Sequence, residues 1–429
     1  MNRLYKKITL TLLTASLSMA VPVWAADNYQ IDDLGTLGGA QAEAFSINNL
    51  GDIVGNSSGA DFDNHAFVYR NQALVDLGFL PVDANSTSSS FAFDINDNGL
   101  AVGFSTQSFV DANSVGYNRT IATYFDTINL TINPIPQVDP ALPLNMRAER
   151  SNENDIIVGV TEYDDPNDVD TNGDPVSVIT IKGFVYDINS GVLDILSPPA
   201  ETTRTGLALR AINNNGVIVG LAAETVSNGF QNVILSDIVT TNISDLTQIS
   251  KITIYDGSQN QVWSINDNNI MVGSADTLTD GNKKAFSYNL NTQEVINLGS
   301  LNINFPFSEA FKINNAGQIV GVSQYQNSPI IYHAFVHENG TMKDLSKLIG
   351  CDTGWVLNEA RSINDSGIIV GTGLFNGEKH AYKLTPIAGT APVCVDTTSS
   401  SSGGGSLPIF LLVLFSGLLV YRKETKNHL

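Results

Sequence analysis

The chain has 429 residues, 42% of them hydrophobic, enough for one large repeat domain or two to three average ones. Charged residues make up only 15% and glycines number 36, a balance that suits many short strands joined by tight turns. A formal net charge of −21 with a pI of about 4.4 repels phosphate and excludes nucleic acid as a partner, leaving cations, basic partners or neutral ligands.

Taken in chain order, residues 1–25 have the three parts of a secretory signal peptide. Arg3, Lys6 and Lys7 form the basic start, Ile8 to Val21 the apolar stretch, and Val23-Trp24-Ala25 places cleavage after Ala25. The apolar run is short for a permanent anchor. Export is expected, with the secretion machinery as the first partner, and one domain over 26–390.

The exported part opens on Tyr29–Leu37 (Tyr-Gln-Ile-Asp-Asp-Leu-Gly-Thr-Leu), a strand-like segment with no hairpin before it. A repeat then begins. Ala44–Gly55 contains Ile-Asn-Asn-Leu-Gly-Asp-Ile-Val-Gly, and near copies end at Gly103, Gly159, Gly220, Gly273, Gly321 and Gly371, 48 to 61 residues apart. Each copy alternates apolar residues up to Ile-Asn, turns, and resumes with β-branched residues, which reads as a tight hairpin. Glycine at the turn supplies a positive φ. Asn269 in the fifth copy and Asp155 in the worn third copy are the next most tolerant residues there.

Two further strands follow in most copies. His65-Ala-Phe-Val-Tyr69 is echoed at 182–186, 284–288, 333–336 and 380–382, and Leu74-Val-Asp-Leu-Gly78 at 193–195, 244–246, 296–299 and 343–345. Four strands in about 50 residues is the size of a propeller blade. The seventh copy lacks the Asp-Leu-Gly strand that Tyr29–Leu37 offers. The expected fold is therefore all-β: a seven-bladed β-propeller of four-stranded antiparallel blades, closed by the N-terminal strand. A β-solenoid or a two-part β array is the alternative. The in-register hairpin and triplet resemble the HAF-repeat family of extracellular proteins over residues 29–386. That resemblance implies a β-rich repeat fold and export, and no established activity.

Candidate chemistry is sparse. His65, His333 and His380 share one repeat position, His337 stands alone, and no Ser-His-Asp or His-Glu metal motif is visible. Asp168, Asp170, Asn172 and Asp174, with Gly173, match the first half of a calcium loop, although Ile179 stands where the bidentate Glu belongs. Calcium is the one cofactor this suggests. An ordinary solvated acidic loop is the alternative. Glu43, Glu309 and Glu359 occupy one repeat position in copies one, six and seven, which are consecutive around a closed ring. On innermost strands they would gather on one side of the channel, as a ligand site or as repeat residues bonding to their neighbours. Cys351 and Cys394 bracket the last blade, and a disulfide between them would staple it.

The chain ends with a hydroxyl- and glycine-rich linker (391–406) that includes Gly403, Gly404 and Gly405, an apolar run (407–421) and a basic end (422–429). Fifteen apolar residues are marginal for a membrane helix. This order resembles the GlyGly-CTERM sorting signal, which implies cleavage near the glycines by a rhomboid-class protease and delivery to the cell surface. A simple anchor is the alternative. The membrane is expected to be met only through this tail. Together these features point to a non-enzymatic, cell-surface or secreted module that binds a glycan, matrix component or protein. An extracellular polysaccharide-degrading propeller enzyme and a structural envelope protein are the rivals.

Overall fold

The computed structural model describes residues 28–389, apart from 62, 82–88, 111–115, 138–143, 165–178, 228–231, 280 and 352. The leader, linker, apolar run and basic end expected at the termini lie outside the described residues. So do Asp168, Asp170, Asn172, Asp174 and Cys394. Among the described residues, no helix is long and apolar enough to cross a membrane.

The described chain forms seven four-stranded antiparallel sheets, the blades of a β-propeller. In blade 1 the strands, A to D from the inside outward, are Gly38–Ile47, Ile53–Gly59, Asn64–Arg70 and Ala73–Gly78. Blade 7 combines Trp355–Ile363, Ile369–Phe375 and Glu378–Pro386 with the N-terminal strand Tyr29–Asp33 as its D strand. The pairing runs Tyr29 with Pro386, Ile31 with Leu384 and Asp33 with Tyr382. The two ends of the chain thus share one sheet, so opening the ring requires breaking a strand pair. Closure gives blade 7 the fourth strand that the other six blades supply from their own repeat.

Packing follows the repeat. Each hydrophobic cluster lies between two neighbouring blades: Val54, Ala66 and Val68 of blade 1 meet Ala92, Ile95, Ala101 and Phe125 of blade 2. Ala42, Ala44, Ile47 and Ile53 meet Val370 and Ala381 of blade 7, which seals the ring. The aromatic residue of the His-Ala-Phe strand is core in every such copy, with Phe67, Phe184, Phe286, Phe335 and Tyr382 fully buried.

Two backbone devices recur. The A–B turns use positive φ at Gly51, Gly99, Gly216, Gly317 and Gly367, and at Asp155 and Asn269 in the remaining blades, as the turn reading required. Every A strand also carries a β-bulge, in blade 1 between Ala44 and Ser46. The glycine closing each copy lies directly opposite. A Cβ at Gly321 would sit well inside 3 Å of the Glu309 carbonyl oxygen and 2.9 Å from the Phe335 ring. These glycines are fixed by close backbone approach.

Candidate ligand-binding channel

Consecutive strands place the A–B and C–D turns at one end of the ring and the B–C and D–A loops at the other. The central channel therefore has a turn end and a loop end, with the seven A strands as its wall.

At the turn end the Ile-Asn motif forms a closed ring. Asn48 Nδ2 donates to the Asn96 carbonyl, Asn96 to Asn152, Asn152 to Asn213, Asn213 to Asn266, Asn266 to Asn314, Asn314 to Asn364, and Asn364 back to Asn48, all at 2.9–3.1 Å. The Oδ1 of each accepts from its own turn, as Asn364 does from the Ser366 and Ile368 amides. The next residue in each copy makes a second ring. Its backbone amide donates to the side chain of the following blade, from Asn49 to Asp97, Glu153, Asn214, Asp267, Asn315, Asp365 and back. The two rings line an open cavity of about 120 Å³, room for a few waters, in which Asp94 and Lys312 face each other at 3.8 Å. Partial burial of the Glu153 carboxylate, with the charges of Asp97, Asp94 and Asp155, outweighs the amide it accepts and pushes it up to about 7.

Midway along, the bulge residues form a belt. Phe45 meets Phe93 with centroids 5.5 Å apart, Arg210 lies over Trp263 at 5.2 Å, Trp263 meets Phe311 at 6.0 Å, and Arg361 lies over Phe311 at 4.7 Å. Glu149 takes Arg147 at 2.5 Å and Arg210 at 3.1 Å. Burial alone would raise the Glu149 carboxyl. Arg147, Arg210 and Arg150 more than reverse this and hold it below the ordinary carboxylate range. Burial lowers the Arg210 guanidinium despite Glu149. No sequence signal marked this belt, because its residue types differ from blade to blade and only the shared bulge brings them together.

At the loop end lie Glu43, Glu309 and Glu359, at equivalent register positions on the A strands of blades 1, 6 and 7. Each has its own partner. Glu43 pairs with Lys379, and Glu359 with Arg361 at 2.9 Å. Glu309, 5% exposed, accepts on Oε1 from Trp263 Nε1 at 2.8 Å and Ser274 Oγ at 3.0 Å.

The outer part of the loop end is built from the histidines. His65 and His333 bond through Nδ1 to Asp76 and Asp344 at 2.8 and 2.9 Å, while His380 Nδ1 lies 2.9 Å from Asp33 without hydrogen-bond geometry. The His-Ala-Phe strand and the Asp-Leu-Gly strand are thus joined by one recurring pair, completed in blade 7 by the N-terminal strand. Aromatic rings cover these pairs. Tyr325 stacks on His333 at 4.2 Å, Trp355 on Phe375 at 5.0 Å, Phe307 meets Tyr332 at 5.6 Å and Phe79 meets His65 edge-on at 5.1 Å. All six aromatic side chains are half-buried.

Among the described residues, no group of three His, Cys, Asp or Glu is placed to hold a metal. Cys351 is exposed ahead of the blade 7 A strand and is not a free thiol.

The sequence matches the family described as "Protein of unknown function (DUF3466)" over residues 31–207 and 194–402. The chain belongs to this family. The assignment corrects the two resemblances drawn from the sequence: the family is neither the HAF-repeat family nor one defined by a GlyGly-CTERM tail. The triplet misleads because its Phe is a core residue and its His is the partner of a D-strand Asp, demands that blade geometry makes by itself. The match ends at 402, before the glycine run. No curated protein matches the sequence. Among solved structures, an oligogalacturonate lyase from Vibrio parahaemolyticus is 12% identical, with a TM-score of 0.51 over 83% of this chain and 93% of that one. The β-propeller domain of the Trilobed protease from Pyrococcus furiosus, described as having an open velcro topology, is 10% identical, with a TM-score of 0.46 over 84% of this chain and 94% of that one. Identities this low speak to fold alone.

Proposed function

We propose that this DUF3466 protein is an exported, non-enzymatic propeller that binds a glycan at the loop end of blades 6, 7 and 1. The observation that carries the reading is the aromatic group Phe307, Tyr325, Tyr332, Trp355 and Phe375, half-buried on two adjacent blades beside the channel carboxylates. Rings of this kind offer flat apolar faces to the C–H side of a sugar, while carboxylate, amide and hydroxyl oxygens accept from its hydroxyls. The turn end offers no such surface, since its polar groups bond to one another. Ion pairing also favours binding over hydrolysis: Glu43 and Glu359 are each held by a cation, and glycoside hydrolysis calls for two working carboxyls. The leader at 1–25 supports export, and the apolar run at 407–421 with its basic end supports retention at the envelope.

The test is a glycan array probed with the purified protein and with Trp355→Ala. Retention of a polysaccharide class by the native chain, lost in the variant, is the expected result. Retention that survives Trp355→Ala but is lost on substitution at the turn end would sink the reading.

A further inference from the structure

Of the three loop-end carboxylates Glu309 alone has no cation in ion-pair contact among the described residues; the Arg210 charge acts on it only from farther away. Both of its donors, the Trp263 indole and the Ser274 hydroxyl, are neutral, and both reach Oε1. Oε2 meets no donor, and no Lys, Arg or His forms an ion pair with Glu309, among the described residues. Glu309 is 5% exposed overall, yet Oε2 is not sealed off and stands open to a donor entering the channel.

Its layer of the channel is short of donors as well. The cross-strand pairs at this level in blades 5, 6, 7 and 1 are Gln261 with Ser274, Glu309 with Val322, Glu359 with Thr372, and Glu43 with Asn56. Within them Gln261 Oε1, Thr372 Oγ1 and Asn56 Oδ1 are buried without a hydrogen-bond partner, on residues 9%, 3% and 7% exposed. The same level of blades 2, 3 and 4 carries Phe91, Arg147 and Ala208 instead. At this level, among the described residues, the unanswered acceptors fall in one arc, on blades 5, 7 and 1 either side of Glu309.

We propose that this arc is a subsite for a protonated amino sugar, whose ammonium is received by Glu309 Oε2. The inference rests on the glycan reading above and names the sugar class within it. An ammonium brings several donors and a positive charge, so it completes Glu309 with a charge-assisted bond, whereas a hydroxyl would leave the buried charge unanswered. An N-acetylated sugar lacks the charge, and a uronate would place a second anion beside Glu309.

The experiment is calorimetric titration of the purified protein with oligomers of glucosamine, of N-acetylglucosamine and of galacturonate, and with calcium chloride alone. The glucosamine oligomer is expected to bind about tenfold more tightly than its acetylated counterpart. Glu309→Gln should remove that margin, and Gln261→Glu, which adds a carboxylate to the same layer, should widen it. Should Glu309→Gln fail to fold, Gln261→Glu decides alone: an unchanged margin overturns the proposal. Equal affinity for the acetylated and free-amine oligomers, or tighter binding of galacturonate, overturns the amino-sugar subsite and leaves glycan binding standing. Binding of none of the oligomers overturns both. Calcium binding that Glu309→Gln abolishes would replace the amino sugar with a metal ion.

Discussion

The two ends of the channel are made by the same seven strands and behave oppositely. At the turn end every blade contributes the same asparagine, every Nδ2 finds the next carbonyl, and the polar groups close on themselves. At the loop end equivalent positions hold Glu, Gln, Arg, Phe or Ala, and several buried acceptors find no donor. Seven-fold regularity belongs to the scaffold. The loop-end acceptors without partners, in blades 5, 7 and 1 beside Glu309 of blade 6, are where a ligand has something to bind.

The largest expected effect breaks both ends at once. Phe335→Ala empties a fully buried site between blades 5 and 6 and should cost about 3–5 kcal/mol in denaturant unfolding. A loss below about 1 kcal/mol would mean the blades are not held by that core. Next comes Asn364→Ala at the turn end, which deletes one donated and two accepted bonds and leaves the Asn48 carbonyl with the Gly51 amide alone. It should cost about 2–3 kcal/mol without affecting glycan affinity. Glu309→Gln at the loop end should show the reverse. The isosteric amide keeps an oxygen for Trp263 and Ser274, so unfolding should change by less than about 1 kcal/mol while glycan affinity falls. If Asn364→Ala weakens binding and Glu309→Gln weakens folding, the division of labour is wrong.

The smallest effect is one of pH. Glu153 titrates near 7 in the folded protein, above its ordinary value of 4.5. The folded state therefore holds this proton more tightly than the unfolded state. The associated stability is complete below pH 4.5 and is lost as pH rises through about 7. Because the carboxylate is only partly buried and solvent still reaches it, screening limits the effect to roughly 1 kcal/mol or less. Glu153→Gln should flatten this part of the stability profile between pH 5 and 8, and an unchanged profile would assign the slope to other groups.

Much of the scaffold was legible. Seven spaced glycines, the turn residues Asp155 and Asn269, and the orphan strand Tyr29–Leu37 led directly to seven blades and their closure. The reason for the glycines was only half visible, since their opposition to the A-strand bulge depends on how the blade twists. Glu43, Glu309 and Glu359 could be placed on one arc by register. Their partners could not: Trp263 and Arg361 share the bulge position but serve carboxylates on different blades, Lys379 lies on another strand, and only the ring brings Lys379 and Trp263 across a blade boundary. The Ile-Asn asparagine read as a turn former, while its Nδ2 bond to the next blade spans about 50 residues, beyond any local pattern.

The most direct test of the central claim is hydrogen–deuterium exchange on the purified protein with and without a saturating glucosamine oligomer. Protection is expected in 300–310, 324–333 and 353–361, the loop-end segments of blades 6 and 7, with no change at the turn-end segments 47–53, 95–100 and 363–369. Protection confined to the turn-end segments would contradict the account.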